Sequence, residues 1–267
     1  SVIVLSATLP EETRKEIISH YCDLNKEEVA GDDHYPRITL ANVEKGSRVT
    51  SLEWKGPDRD ITLNWISEDE LGNILYERLI NGGCTAIICN TVRRAQELYL
   101  QIKEKQIISD EDLILFHARF PFRLRQEIEN KVLSKFSKEA TRENGDRPHK
   151  AIVIATQVIE QSLDLDFDLM ITELAPIDLM LQRAGRLHRH DRKGQRPEKL
   201  QQPDLMILEV EQNNEGLPLV GKRDPFYGKS TLLRTYYNLQ KTHTLKVIKE
   251  THQLIECVYS SKEMFAN

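Results

Sequence analysis

The sequence of 267 residues has few of the features that mark specialised classes of protein. Its four cysteines (Cys22, Cys84, Cys89 and Cys257) share no C-x-x-C spacing, which argues against a disulfide scaffold or a zinc site. No apolar run approaches the roughly 20 residues that span a bilayer, and the first residues do not form a signal peptide. Glycine and proline, at 12 and 10 residues, are too few for a collagen-like chain. We therefore expect a globular, cytoplasmic protein without a membrane segment.

The charge balance excludes a surface coated with positive charge. The sequence has 37 basic and 42 acidic residues, a formal net charge of −5. Contacts with phosphate depend on local potential more than on the total, so a basic groove remains possible. Composition narrows the class of protein without fixing its function.

Apolar runs and helical patterns alternate along most of the chain. Val2–Leu5 is typical of a buried strand, residues 37–66 contain short extended runs, and the last 40 residues are typical of one or two amphipathic helices. Between them we predict, in order, a helix between Ser67 and Gly82, a strand at Thr85–Cys89, a helix at Val92–Lys105, a strand at Leu113–His117, a helix from Pro121, strands at Ala151–Ala155 and Asp168–Thr172, a helix at Ile177–His188 and a strand at Leu205–Val210. This order predicts an α/β fold, a parallel sheet with helices on both faces, whose functional residues gather where strands end.

The densest basic stretch runs from Arg183 to Lys193. A helix over residues 179–189 would place Gln182, Arg186 and Arg189 on one face, where two guanidinium groups form a fork for phosphate oxygens. Gly185 inside that helix suggests a close backbone approach. A solvated basic face is the alternative, but the stretch contains few balancing acids, which favours anion binding.

An acidic loop follows the strand that ends near Thr156. Asp164, Asp166 and Asp168 match the first three positions of a calcium loop, but its required Gly and Glu fall on Leu169 and Ala175, which excludes calcium. A nuclease-like carboxylate cluster and an ordinary exposed edge both remain open.

The sequence contains no complete phosphate-binding loop. Gly228-Lys229-Ser230 resembles the end of one, but Arg223 stands where the upstream glycine is required. His117 and Arg119, at a predicted strand end, could contact a ligand, although a lone histidine there is more often structural.

Five segments stand in order along residues 1–210: Ser6–Thr8, Cys89–Thr91, Phe116–Phe120, Ala155–Asp164 and Gln182–Arg189. Together they resemble the motifs of a superfamily 2 helicase, and most closely those of the CRISPR-associated helicase–nuclease of type I interference systems. The resemblance implies a RecA-like sheet, a leftover piece of a preceding RecA-like domain and a partial helical C-terminal extension.

The resemblance also implies a domain organisation. Residues 1–35 would end the first RecA-like domain, 36–66 would connect, 67–211 would form the second RecA-like domain, and 212–267 would begin an accessory domain. In such helicases ATP and Mg²⁺ bind between the two RecA-like domains and are held mainly by the first, with its P-loop and acids. Those groups and the nuclease domain are absent from this sequence, so we expect the chain alone to be inactive.

The motifs imply roles for individual residues. Arg186 and Arg189 would act as arginine fingers on the γ-phosphate, beside Gln182, where many relatives have histidine. Asp164 would meet the ribose of ATP, and Ser6 and Thr8 would couple hydrolysis to domain closure. The residues implied to hold the backbone of single-stranded DNA are Asn90, Thr91, His117, Arg119 and Thr156.

The sequence therefore predicts the second motor domain of an ATP-dependent single-strand DNA translocase. It would feed DNA to a nuclease recruited by a guide-RNA surveillance complex. Two alternatives remain: a nucleic-acid-binding or docking module without an ATPase role, and a superfamily 2 helicase of another branch that acts on RNA or in repair.

Overall fold

The computed structural model describes residues 2–32, 34–55, 59–160, 163–192, 194–221 and 226–260. Gln161, Ser162, Lys193 and Arg223, which belong to predicted motifs, lie outside these residues. The chain forms two compact units, Asp60–Leu245 and a smaller unit of Ser1–Arg59 with Lys246–Asn267. No helix within the described ranges is long and apolar enough to cross a membrane.

The chain contains nine named strands and seven α-helices within the described residues. The strands are β1 Arg37–Asn42, β2 Gly46–Ser51, β3 Asp60–Ile66, β4 Gly83–Ile88, β5 Leu113–Phe116, β6 Lys150–Ala155, β7 Leu169–Thr172, β8 Asp204–Leu208 and β9 Thr244–Lys246. The helices are α1 Glu11–Cys22, α2 Leu71–Arg78, α3 Val92–Glu104, α4 Phe122–Phe136, α5 Ile177–Ala184, α6 Lys229–Gln240 and α7 Val247–Tyr259.

The larger unit contains a seven-stranded sheet in the order β5-β6-β4-β7-β8-β3-β9. The pairs β5·β6, β6·β4, β4·β7, β7·β8 and β8·β3 are all parallel. Every residue of β4, β7 and β8 is buried, as expected for apolar strands that are covered on both faces. The predicted α/β parallel sheet is therefore confirmed.

The core explains why these runs form strands and these patterns form helices. Ile87 of β4 and Ile154 of β6 are fully buried, and they share one apolar cluster with Leu75 of α2 and Leu98 of α3. Thr91 caps α3 by accepting the backbone N–H of Arg94 at 3.2 Å. The predicted strands between Thr85 and Val210 are all present, with ends shifted by at most two residues.

One sequence expectation about the elements differs from the structure. Val2–Leu5 was expected to be a buried strand, but it belongs to no strand, and Leu5 is 91% exposed. A strand needs neighbours that satisfy its backbone, and no described strand pairs with this run. β3 pairs with β8 inside the main sheet, and α6 follows within the same compact unit, which spans Asp60–Leu245.

The smaller unit contains the antiparallel pair β1·β2, α1 and α7. Glu11 links α1 to β1, because its carboxylate accepts hydrogen bonds from Arg14 of α1 and from Arg37 of β1. The backbone N–H of Glu11 donates to the Glu256 carboxylate at 2.7 Å, which ties α1 to α7.

Candidate functional site

The arginine-rich segment leaves the helix earlier than predicted. Helix α5 ends at Ala184, and Gly185 is its C-cap, so Gln182, Arg186 and Arg189 do not share a helix face. The helix ends because Leu187 bridges to Phe167 and because His188 adopts a left-handed conformation with φ 47°. The atoms nearest to a Cβ on Gly185 belong to α5 itself, with the Gln182 carbonyl oxygen at 3.2 Å, so no other element among the described residues makes the close backbone approach expected at Gly185.

Arg186 makes one hydrogen bond through its guanidinium, and a second, buried N–H of the same group has no partner among the described residues. Its Nη2 donates to the Glu160 carbonyl oxygen at 3.0 Å. Its Nε is buried and has no hydrogen-bond partner among the described atoms. Burial lowers the pKa of Arg186 from its ordinary value, and the nearby Arg189 charge adds to this effect. The guanidinium still carries its charge at neutral pH, so it presents a buried donor that no group among the described residues accepts.

Arg189 and Asp164, both predicted for the nucleotide site, lie together. The Nε of Arg189 donates to the Asp164 carboxylate at 2.5 Å, and His190 Nε2 lies 3.1 Å from the same oxygen. Burial raises the pKa of Asp164, but the hydrogen bond from Arg189 and the charges of His190 and Arg189 outweigh it and lower the pKa. Gln182, by contrast, is an exposed residue of α5.

Arg183 forms a buried network that the sequence analysis did not identify. It is fully buried, and its Nε donates to the Glu160 carboxylate at 2.7 Å. Its Nη1 donates to the Thr172 hydroxyl at 2.6 Å, and its Nη2 to the Asn90 amide oxygen at 3.3 Å. The signal lay in the helix pattern, because Arg183 follows the buried Met180 by three residues.

The acidic loop pairs with arginines. Asp166 and Asp168 are 0% and 1% exposed. Arg196 donates to Asp166 at 2.9 Å, Arg147 donates to Asp168 at 3.0 Å, and Arg192 also pairs with Asp166. The interpretation of Asp166 and Asp168 as a nuclease-like carboxylate cluster is therefore wrong, because both carboxylates are counter-ions of buried guanidinium groups. No group of three or more histidine, cysteine or acidic residues in the described part of the chain could hold a metal ion.

Four of the residues expected to hold nucleic acid line one groove of about 880 Å³: Asn90, Thr91, Arg119 and Thr156. They follow β4, β5 and β6, neighbouring parallel strands whose carboxyl ends meet at one edge of the sheet. The structure brings these four residues together.

His117 does not line this groove. It is 3% exposed and stacks on Phe120 with ring centroids 4.0 Å apart. Burial lowers the pKa of His117. Its ring is therefore packed at the strand end, apart from the four residues that line the groove.

The groove residues differ in the groups that they can offer. Asn90 is buried, and its amide already donates to the Leu174 carbonyl oxygen at 2.8 Å. Arg94 pairs with Glu173 at 3.1 Å, and Arg93 pairs with Glu97 at 2.9 Å. Within the described ranges, the exposed Arg119 makes no ion pair or hydrogen bond, so its charge is available to an anion.

Ser6 and Thr8 lie in the smaller unit. The backbone N–H of Thr8 donates to the Ser6 hydroxyl at 3.2 Å. Both line a cavity of about 320 Å³ in that unit, together with Arg14 and Tyr35.

Comparisons with known proteins agree with these motifs. Residues 81–192 match the family model described as CRISPR-associated nuclease/helicase Cas3, C-terminal. The chain is 36% identical over 271 residues to the CRISPR-associated nuclease/helicase Cas3 of Streptococcus thermophilus, which covers 97% of this chain and 27% of that protein. The chain thus spans about a quarter of this relative's length.

Solved structures give the same result. The structure titled T. fusca Cas3-ATP matches with a TM-score of 0.85 and 33% identity over 96% of this chain and 31% of its own. A chain of the structure titled CRISPR RNA-guided surveillance complex, pre-nicking, matches with a TM-score of 0.80 and 32% identity over 95% of this chain and 33% of its own. The chain is therefore homologous, over nearly its whole length, to the part of the CRISPR-associated nuclease/helicase Cas3 that includes the C-terminal, RecA-like domain of the helicase.

Proposed function

We propose that this chain supplies the second motor domain of an ATP-dependent, single-strand DNA translocase that acts with a nuclease in CRISPR interference. The observation that carries the proposal is that Arg186 donates to the Glu160 carbonyl oxygen and Arg189 pairs with Asp164, in the same compact unit as the groove lined by Asn90 and Thr156. Homology to proteins named nuclease/helicase, and to a Cas3 structure titled with ATP, supports it.

The two arginines fit a phosphate group. Among the residues that the structure describes, the buried Nε–H of Arg186 has no partner, and a buried donor costs free energy until it is paired. A guanidinium aimed at developing charge stabilises the transition state of phosphoryl transfer, an effect of about 10³–10⁵ in rate. Arg186 and Arg189 would act on ATP held mainly by the P-loop and Mg²⁺ of the first RecA-like domain.

Asp164 would serve the same nucleotide in two ways. Its carboxylate pairs with Arg189, which keeps that side chain beside the loop before nucleotide binds. When the guanidinium of Arg189 binds a phosphate instead, the carboxylate of Asp164 can accept hydrogen bonds from the ribose hydroxyls. Because the side chains of Arg189 and Asp164 are 40% and 51% exposed, the exchange should cost little free energy.

The groove would hold the single strand by its backbone. Arg119 supplies a charge for phosphate, and the hydroxyls of Thr91 and Thr156 can donate to phosphate oxygens. Such contacts tolerate any sequence, as a translocase requires. Ser6 and Thr8 would transmit closure of the two motor domains to this grip.

The proposed assembly includes further parts of this chain and of the intact protein. Residues 1–35 would end the first RecA-like domain, and residues after 211 would lead into an accessory domain. The nuclease domain and the P-loop would come from other parts of the intact protein, and a guide-RNA surveillance complex in the cytoplasm would deliver the DNA. This chain alone would not hydrolyse ATP.

The test is DNA-stimulated ATP hydrolysis by the intact protein that contains this chain. Arg186→Lys and Arg189→Lys should each lower kcat by about 10³-fold or more, because lysine cannot reproduce the guanidinium fork. Arg123→Lys is the matched control, since Arg123 lies on α4 with its side chain 93% exposed. Rates within threefold of the wild type for both variants would refute the arginine assignment and favour a nucleic-acid-binding module.

A further inference from the structure

An exposed aromatic ring lies in the groove among the polar strand-end residues. Phe226 is 74% exposed, yet it lines the same groove as Thr91, Arg119 and Thr156. A solvent-exposed phenylalanine is unremarkable by itself. Its place in a groove with a free cation and two hydroxyl groups is the feature that calls for a role.

Phe226 is anchored to the floor of the groove through the next residue. The Tyr227 hydroxyl accepts a hydrogen bond from Gln157 Nε2 at 2.8 Å. The same amide nitrogen donates to the Asn90 carbonyl oxygen at 2.9 Å. Tyr227 is therefore tied through Gln157 to the ends of β4 and β6, and this places the adjacent Phe226 at the groove.

The groove combines the two kinds of group that bind single strands without sequence preference. Arg119 offers a charge to phosphate, and Phe226 offers an apolar ring face. Every base has a π-face, so an aromatic ring adds affinity that does not depend on sequence.

We propose that Phe226 stacks on a base of the bound single strand. The proposal rests on the proposed function, which assigns this groove to single-stranded DNA. Arg119, Thr91 and Thr156 would hold the sugar–phosphate backbone, and Phe226 would contact the base that extends from it. Tyr227 would be a positioning residue that keeps Phe226 at the groove through Gln157.

The experiment measures binding of the intact protein to two fluorescein-labelled oligonucleotides of equal length, oligo(dT) and its abasic counterpart. Phe226→Ala should weaken binding to oligo(dT) about tenfold and leave abasic binding unchanged, whereas Phe226→Trp should retain binding to both. Phe122→Ala is the matched control, because Phe122 is 72% exposed and does not line the groove.

The outcomes separate this proposal from the proposed function. If the wild type binds neither oligonucleotide, the assignment of the groove to DNA fails. If the wild type binds oligo(dT) and Phe226→Ala binds it equally well, the stacking role is wrong and the DNA groove stands. If Phe226→Ala weakens both oligonucleotides equally, Phe226 supports the protein's structure or a protein interface, and the stacking role is again wrong.

Discussion

Arg183→Met should be among the most destabilising substitutions in the larger unit. Arg183 and the Glu160 side chain are 0% and 4% exposed, and the ion pair between them is 2.7 Å long. Removing the guanidinium leaves a buried carboxylate without its counter-ion, which costs about 3–5 kcal/mol. That is a large share of a typical stability of about 5–15 kcal/mol.

Urea unfolding followed by tryptophan fluorescence measures this change. Trp65 lies in the larger unit and Trp54 in the smaller one, so a Trp54→Phe background makes Trp65 the single tryptophan reporter. Arg183→Met with Glu160→Leu should recover most of the loss, because an apolar pair carries no uncompensated charge. A single-variant loss below about 1 kcal/mol, or a double variant as unstable as the sum of the singles, would refute the reasoning.

The same pair predicts a pH dependence. Burial raises the pKa of Glu160, and Arg183 opposes this rise. Without Arg183 the folded-state pKa should rise further above its unfolded value. A group of this kind supports stability at low pH and loses that support as pH rises through its folded-state pKa. The Arg183→Met penalty should therefore be smaller at pH 5 than at pH 8, and equal penalties would contradict a role for the unpaired carboxylate.

Three further predictions concern other sites. Burial, together with the Arg196 charge, lowers the pKa of His188 to about 4. The free energy of unfolding should therefore fall by up to about 3 kcal/mol as the pH drops from 6.5 towards 4. Urea unfolding at a series of pH values should show that His188→Asn removes this pH dependence. Gly83→Ala should lower the free energy of unfolding by more than about 2 kcal/mol, because its Cβ would lie 2.3 Å from Leu200. Gly145→Ala, also at positive φ but with open space around it, should lower it by about 1 kcal/mol. Equal losses of stability in thermal melts would contradict this difference. A thiol reagent at pH 8 should modify one cysteine per native chain, the exposed Cys257, and all four in denaturant; a second native reactive thiol would contradict the buried positions of the others.

The sequence predicted the sheet well because its strands are nearly continuous apolar runs. β4 and β6 have no polar face, and only burial between two helical layers satisfies that pattern. Thr91 and Thr156 could be placed at strand ends for the same reason, and parallel pairing then brought them to one groove. The prediction of a strand at Val2–Leu5 was wrong, because a strand is defined by its neighbours as well as by its own residues.

The arginine segment was harder to predict. Local pattern extended α5 through Arg189, but a tertiary bridge between Leu187 and Phe167 ends it at Ala184. The buried pairing of Arg183 with Glu160 joins residues 23 positions apart, and no periodicity reveals such a contact. For the same reason the sequence leaves a nuclease-like cluster at Asp166 and Asp168 open as one alternative, because their arginine partners lie up to 30 positions away.

The central claim is that Arg186 and Arg189 complete an ATP site whose P-loop lies on another domain. The most direct measurement is single-strand-DNA-stimulated ATP hydrolysis by this chain, alone and after mixing with the P-loop half of the motor. We predict no hydrolysis by the chain alone, activity in the mixture, and loss of that activity with Arg186→Lys or Arg189→Lys. Strong DNA-stimulated hydrolysis by the chain alone, or undiminished hydrolysis by the mixtures that carry either lysine variant, would contradict the account.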